Sequence, residues 1–196
     1  MTLLFMAQKA HAEAGIYNPP NCEFQVDLPS QPYTVTKCNP DNPKDCHDVT
    51  TFTKVFDMAA SVDFTLTCNP AEKNMYEKYS APIMLKTLEA MVDHDSIDNY
   101  EKDVAVTDEV KRAVIIGSGT SGKQKKIYTV QLWIGHKSVF TIEGSLVGDY
   151  VPEADTMFAD IVKSIKTVDQ VKKDAPKSEE KDAKKEDKKD ANTNPF

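Results

Sequence analysis

The chain has 196 residues, of which 40% are hydrophobic, 8% aromatic and 28% charged, so a fully disordered protein is excluded. Its formal net charge is −7, and Arg112 is the one arginine among 24 basic residues, which argues against nucleic acid as a partner. The longest apolar run, Leu3–Ala7, is too short for a transmembrane helix.

Met1–Ala14 combines that apolar patch with Ala12-Glu13-Ala14 before Gly15. Small residues in this spacing end a secretory signal peptide, so residues 1–14 read as its remnant and the mature chain starts near Gly15. Cys22–Leu28 alternates strictly, with Phe24, Val26 and Leu28 on one face, and predicts a half-buried strand ended by Pro29. Tyr33–Lys37 and the Thr/Val/Phe-rich Asp48–Phe56 are further strand candidates. Val62, Phe64, Leu66 and Cys68 alternate with polar residues and predict another. Asn69-Pro70-Ala71-Glu72 has the residue order of a helix start. The helix meets Pro82, where its apolar arc changes sides, so the spacing predicts a kink or restart there.

Asp93–Asp103 reads as irregular. Val104–Val106, Val110–Ile116, Lys126–Ile134 and Ser138–Val147 then read as an antiparallel meander, with Gly135-His136-Lys137 as one of its turns. Pro152 opens a last helix, whose stripe of Ala154, Met157, Phe158, Ile161, Val162 and Ile165 recurs at helical spacing. Residues 169–196 hold 8 lysines and 8 acidic residues with almost no aliphatics, and are expected to form a disordered charged tail. Residues 15–168 then form one globular domain that carries the whole net charge.

Four cysteines, at 22, 38, 46 and 68, lie in the first half of the domain. An even, clustered set suggests disulfides and an oxidising compartment. Of the three connectivities, Cys38–Cys46 would staple the turn-rich Asn39–Asp45 loop, and Cys22–Cys68 would join the ends of two strands expected to be neighbours. Zinc on Cys38, Cys46, His47 and Cys68 is the rival, but no C-x2-C or H-x3-H spacing is present.

Gly117-Ser118-Gly119-Thr120-Ser121-Gly122-Lys123 fits the spacing of a phosphate-binding loop. Gln124 follows instead of Ser or Thr, and Ile127–Ile134 is strand-like rather than helical, so a hairpin loop is expected. Asp93-His94-Asp95 sets a histidine between carboxylates and could serve a metal or act as a base. A solvated loop is the plainer account. Tyr128, Trp133 and His94 are the candidate ligand or partner surface. Trp133 is out of phase with Tyr128, Val130, Leu132 and Ile134. It therefore faces the other side of the sheet, where it marks either a binding surface or, if covered, core.

Phe24-Gln25-Val26-Asp27-Leu28-Pro29, the hairpin ending Phe140-Thr141-Ile142-Glu143-Gly144, and the helix closing Phe158–Lys166 resemble the PsbP/Mog1-like family. The likeness spans about half of the domain and leaves out the four cysteines. It implies an α-β-α sandwich and mostly non-enzymatic binding, assembly or envelope roles, with no catalytic residues to transfer. The expected fold class is therefore α+β, an antiparallel β-sheet with helices packed on it and a disulfide-stapled N-terminal half. The expected function is a non-enzymatic secreted or periplasmic binding or assembly-factor domain, without cofactor or metal, acting through protein–protein contacts. The alternative is a small-ligand-binding protein or enzyme with a cleft near Asp93–Asp95 or Trp133.

Overall fold

The computed structural model describes residues 14–92 and 97–174. In chain order the strands are β1 (Gly15–Tyr17), β2 (Phe24–Leu28), β3 (Tyr33–Asn39), β4 (Asn42–Phe56) and β5 (Ala60–Pro70). Two helices follow, α1 (Met75–Lys78) and α2 (Ala81–Met91). Then come β6 (Ile97–Val106), β7 (Lys111–Ser121), β8 (Gln124–Ile134) and β9 (Ser138–Gly148). The chain closes with α3 (Pro152–Lys163), β10 (Lys166–Thr167) and α4 (Val168–Asp174). Helix α4 carries regular structure past residue 168, where the charged tail was expected to begin.

All pairings are antiparallel. Seven strands make one sheet in the order β3-β4-β5-β9-β8-β7-β6, and three make a second in the order β1-β2-β10. The expected α+β class, helices on a sheet in an α-β-α sandwich, is therefore corrected. The described chain is mostly β, 56% strand against 20% helix. Two physical causes explain the difference. Residues 38–47 of the β3–β4 hairpin and 98–103 of β6 bury neither face, so no alternation marks them as strand, whereas the strands expected at Tyr33–Lys37 and Asp48–Phe56 do form. The helix expected from Asn69 does not start there, because Asn69 and Pro70 still pair with Val139 and Ser138 of β9.

Strand phase divides the interior into two cores. Val62, Phe64 and Leu66 of β5 lie beside Leu146, Gly144 and Ile142 of β9, so these side chains share one face. Phe24, Val26 and Leu28 of the small sheet cover that face together with Ala154, Phe158 and Ile161 of α3. On the opposite face, Tyr128, Val130, Leu132 and Ile134 of β8 lie under Met84 and Leu88 of α2. Pro82 sits in the first turn of α2 after the break at Tyr79-Ser80, so the expected restart is what forms.

Glu23 joins the two sheets. Its Oε2 accepts the backbone N–H of Lys137 at 2.7 Å and of Ser138 at 2.8 Å, closing the β8–β9 turn. Gly135 lies so near that an added Cβ would stand 2.1 Å from the same oxygen. A carboxylate that collects backbone donors contributes more than a neutral acceptor. Glu23→Ala is expected to cost about 1.5–3 kcal/mol, and Glu23→Gln less, by urea denaturation.

Candidate functional site

All four cysteines are paired, as Cys22–Cys68 and Cys38–Cys46. That leaves no thiol for zinc, and His47 is an exposed residue beside the second bridge. Cys22–Cys68 does not join sheet neighbours as expected. It ties the turn before β2 to the end of β5 and so links the two sheets. Cys38 and Cys46 do not flank a loop either. They face each other across β3 and β4, and Pro40-Asp41 makes the turn between Asn39 and Asn42. From Thr36 to Asp48 every residue is exposed, so this hairpin is an arm that stands clear of both cores.

The glycine-rich segment is a hairpin as well. Gly117 and Gly119 lie inside β7, and the turn is Gly122-Lys123, with Gly122 at φ 61°. No helix follows to aim its N-terminus at a phosphate, so the strand–loop–strand geometry offers no anion cradle.

Tyr128 and Trp133, two of the residues expected to form a surface, point to opposite faces of the sheet. Asp93-His94-Asp95 lies outside the described residues. Tyr128 is buried in the core under α2. Trp133 points to the opposite face, as its phase requires, but Phe24 of the small sheet packs on it edge-on, with centroids 5.9 Å apart. Arg112 lies over the indole at 5.6 Å, and the indole N–H donates to Gln131 Oε1 at 3.0 Å. Trp133 is therefore half-buried, packed against the core with a polar rim.

A crevice of about 780 Å³ lies between Leu28, Pro29 and α3. Another, of about 540 Å³, lies at the base of the arm, where Tyr17 and Asn18 face Asp48, Thr34 and Thr50. The Thr34 and Thr50 hydroxyls share a hydrogen bond of 2.8 Å, and Asp48 accepts from Thr36 at 2.6 Å. Burial, reinforced by the Asp48 carboxylate, raises the Tyr17 hydroxyl well above its ordinary value of 10.0. A group whose folded pKa is raised adds stability that is intact below the unfolded pKa and lost above it. The melting temperature is therefore expected to fall as pH rises above about 10, less steeply in Tyr17→Phe.

A further feature needs the whole sheet. The small sheet and α3 cover one face over β5 and β9, while α2 covers the other over β7 and β8. The face of β3, β4 and β5 on the side of α2 is exposed only in part, since Val49 there is buried and Val35, Thr51 and Thr67 are half-buried. Register places Tyr33, Thr51 and Thr65 in one row across it, and Val35, Val49 and Thr67 in the next. Thr53, Val55 and Thr65 are exposed there. Thr67 and Thr141 share a hydroxyl hydrogen bond, and Thr53 donates to Asp63 Oδ1 at 2.7 Å. Sequence reasoning missed this face because threonine at outward positions is ordinary strand composition. Only the sheet order reveals that the rows are continuous.

Among the described residues no helix is long and apolar enough to cross a membrane, and no group of three or more His, Cys, Asp or Glu is placed to hold a metal ion. No family model matches the chain, and no curated protein matches it.

Proposed function

We propose that the chain is a non-enzymatic binding or assembly domain that works in an oxidising compartment outside the cytoplasm, secreted or periplasmic. A protein partner docks on the open face of β3, β4 and β5. The observation that carries this reading is the exposed part of that face, Tyr33, Thr53, Val55 and Thr65. Its side chains are mainly Thr and Val, which have one stiff χ1 and little rotamer freedom. A partner that lands on them immobilises few flexible groups, so less of the contact energy is lost to ordering. Tyr33, 69% exposed, adds an aromatic anchor of the kind enriched in interfaces.

The compartment rests on the two disulfides, which persist where thiols are not kept reduced. Cleavage after Ala14 would release the chain at Gly15, the first residue of β1. Gly15 tolerates no side chain, since an added Cβ would lie 2.4 Å from the Ser30 carbonyl oxygen.

Photo-crosslinking tests the docking face. Crosslinkers at Thr53 and Thr65 should trap one protein from the native envelope or medium, and a crosslinker at Asp160 on α3 should not. Trapping at Asp160 alone would move the partner to the other side of the molecule and refute the reading.

A further inference from the structure

We propose that the free edge of β3 pairs antiparallel with the β3 edge of a second copy of this chain, joining two seven-stranded sheets into one. The two outer strands of the sheet are β3 and β6, and they are built differently. Strand β6 carries Asp98, Glu101, Lys102 and Asp103 and has a register irregularity between Ile97 and Asn99. Charges and bulges of that kind keep an edge from pairing. Strand β3 reads Tyr33-Thr34-Val35-Thr36-Lys37-Cys38-Asn39, regular from Tyr33 to Cys38, with one charge and three β-branched residues in succession. Its one charge, Lys37, and its register irregularity, between Cys38 and Asn39, lie toward the far end and leave Tyr33–Thr36 uncharged and regular.

The disulfide reveals which backbone groups that edge offers. The Cα atoms of Cys38 and Cys46 are 3.9 Å apart, which marks a narrow pair that exchanges no hydrogen bond across β3 and β4. Narrow and wide pairs alternate, so Thr36–Asp48 and Thr34–Thr50 are narrow too. The short contacts between these side chains, 2.6 Å and 2.8 Å, fit that assignment. The N–H and C=O groups of Thr34 and Thr36 therefore point away from β4, toward the open edge. The bridge at the end of the strand holds them in line before any partner arrives.

A two-fold axis through Val35, perpendicular to the sheet, satisfies this edge with itself. Thr34 then lies opposite Thr36 of the second copy, and both have outward-pointing backbone groups. Tyr33 lies opposite Lys37 of the second copy, an aromatic face beside an ammonium. Lys37 is the one charge of the strand, so no like charges meet. The backbone pairing uses the strand's edge, while the docking reading uses its face, with Tyr33 common to both.

Sedimentation velocity of the purified full chain tests it at ~100 µM and ~150 mM salt, where long-range repulsion is screened. A dimer is expected. Thr36→Pro removes an N–H that β4 does not use, and should yield monomer with the circular dichroism spectrum retained. Tyr33→Lys sets two ammonium groups opposite each other in each symmetric pair and should weaken the dimer about tenfold. Adding Lys37→Glu to it should restore dimerisation, because only this register brings those two positions together. A monomeric wild-type chain would overturn the proposal. A dimer that survives both Thr36→Pro and Tyr33→Lys would also overturn it, whatever partner the open face holds.

Discussion

Replacing Cys22 and Cys68 together by alanine is expected to lower the melting temperature by roughly 10 °C. The bridge closes a loop of 46 residues. Chain-entropy arithmetic for that length gives about 4 kcal/mol. The bridge also ties the turn before β2 of the small sheet to β5 of the large one, so its loss removes one of the links between the sheets. Replacing Cys38 and Cys46 should matter much less. That bridge spans 8 residues in an arm exposed on every side, which can fray without opening either core. Calorimetry of the two double variants checks the ranking. A larger loss from the arm bridge would mean that the arm is part of the core.

Phe64→Ala is expected to cost about 3–5 kcal/mol, the second large effect. Phe64 is 1% exposed, and its ring stacks on Phe158 of α3 with centroids 5.2 Å apart. It also fills the space above Gly144 on the neighbouring strand, where an added Cβ would stand 2.3 Å from the ring. Gly144→Ala should therefore be destabilising by ~1–3 kcal/mol through overpacking. In Gly144→Ala with Phe64→Leu the two costs should sum to more than the double variant loses, because the smaller side chain makes room. Additive losses in chemical denaturation would show that the ring and the glycine do not share that space.

The buried elements were legible in the sequence wherever one face is apolar. Strands β2 and β5 and the stripe of α3 were readable from Phe24, Val62, Phe64, Phe158 and Ile161, because burial imposes a period. Elements without a buried face were not. Strand β6 begins with Ile97 and then runs through Asp98, Asn99, Glu101, Lys102 and Asp103, which read as irregular until the ladder to β7 is seen. Asn39, Pro40, Asn42 and Pro43 are turn residues and predict a loop over Asn39–Asp45, yet only Pro40-Asp41 turns. The disulfide pairing was legible, but its role was not, since nothing local reveals that it ties the turn before the small sheet to the large one. Of the expected surface, the phase of Trp133 was correct. Its cover, Phe24 of a second sheet, depends on the strand order. The open face was invisible for the same reason.

The central claim is that this face holds a protein partner. The most direct measurement is quantitative co-capture with the wild type and with Thr53→Arg, Thr65→Arg. Both positions are exposed, and substitutions of that kind leave stability within about 0.5 kcal/mol. The account predicts that partner yield falls by at least ~tenfold while the melting temperature stays put. Unchanged yield from the folded variant would contradict it.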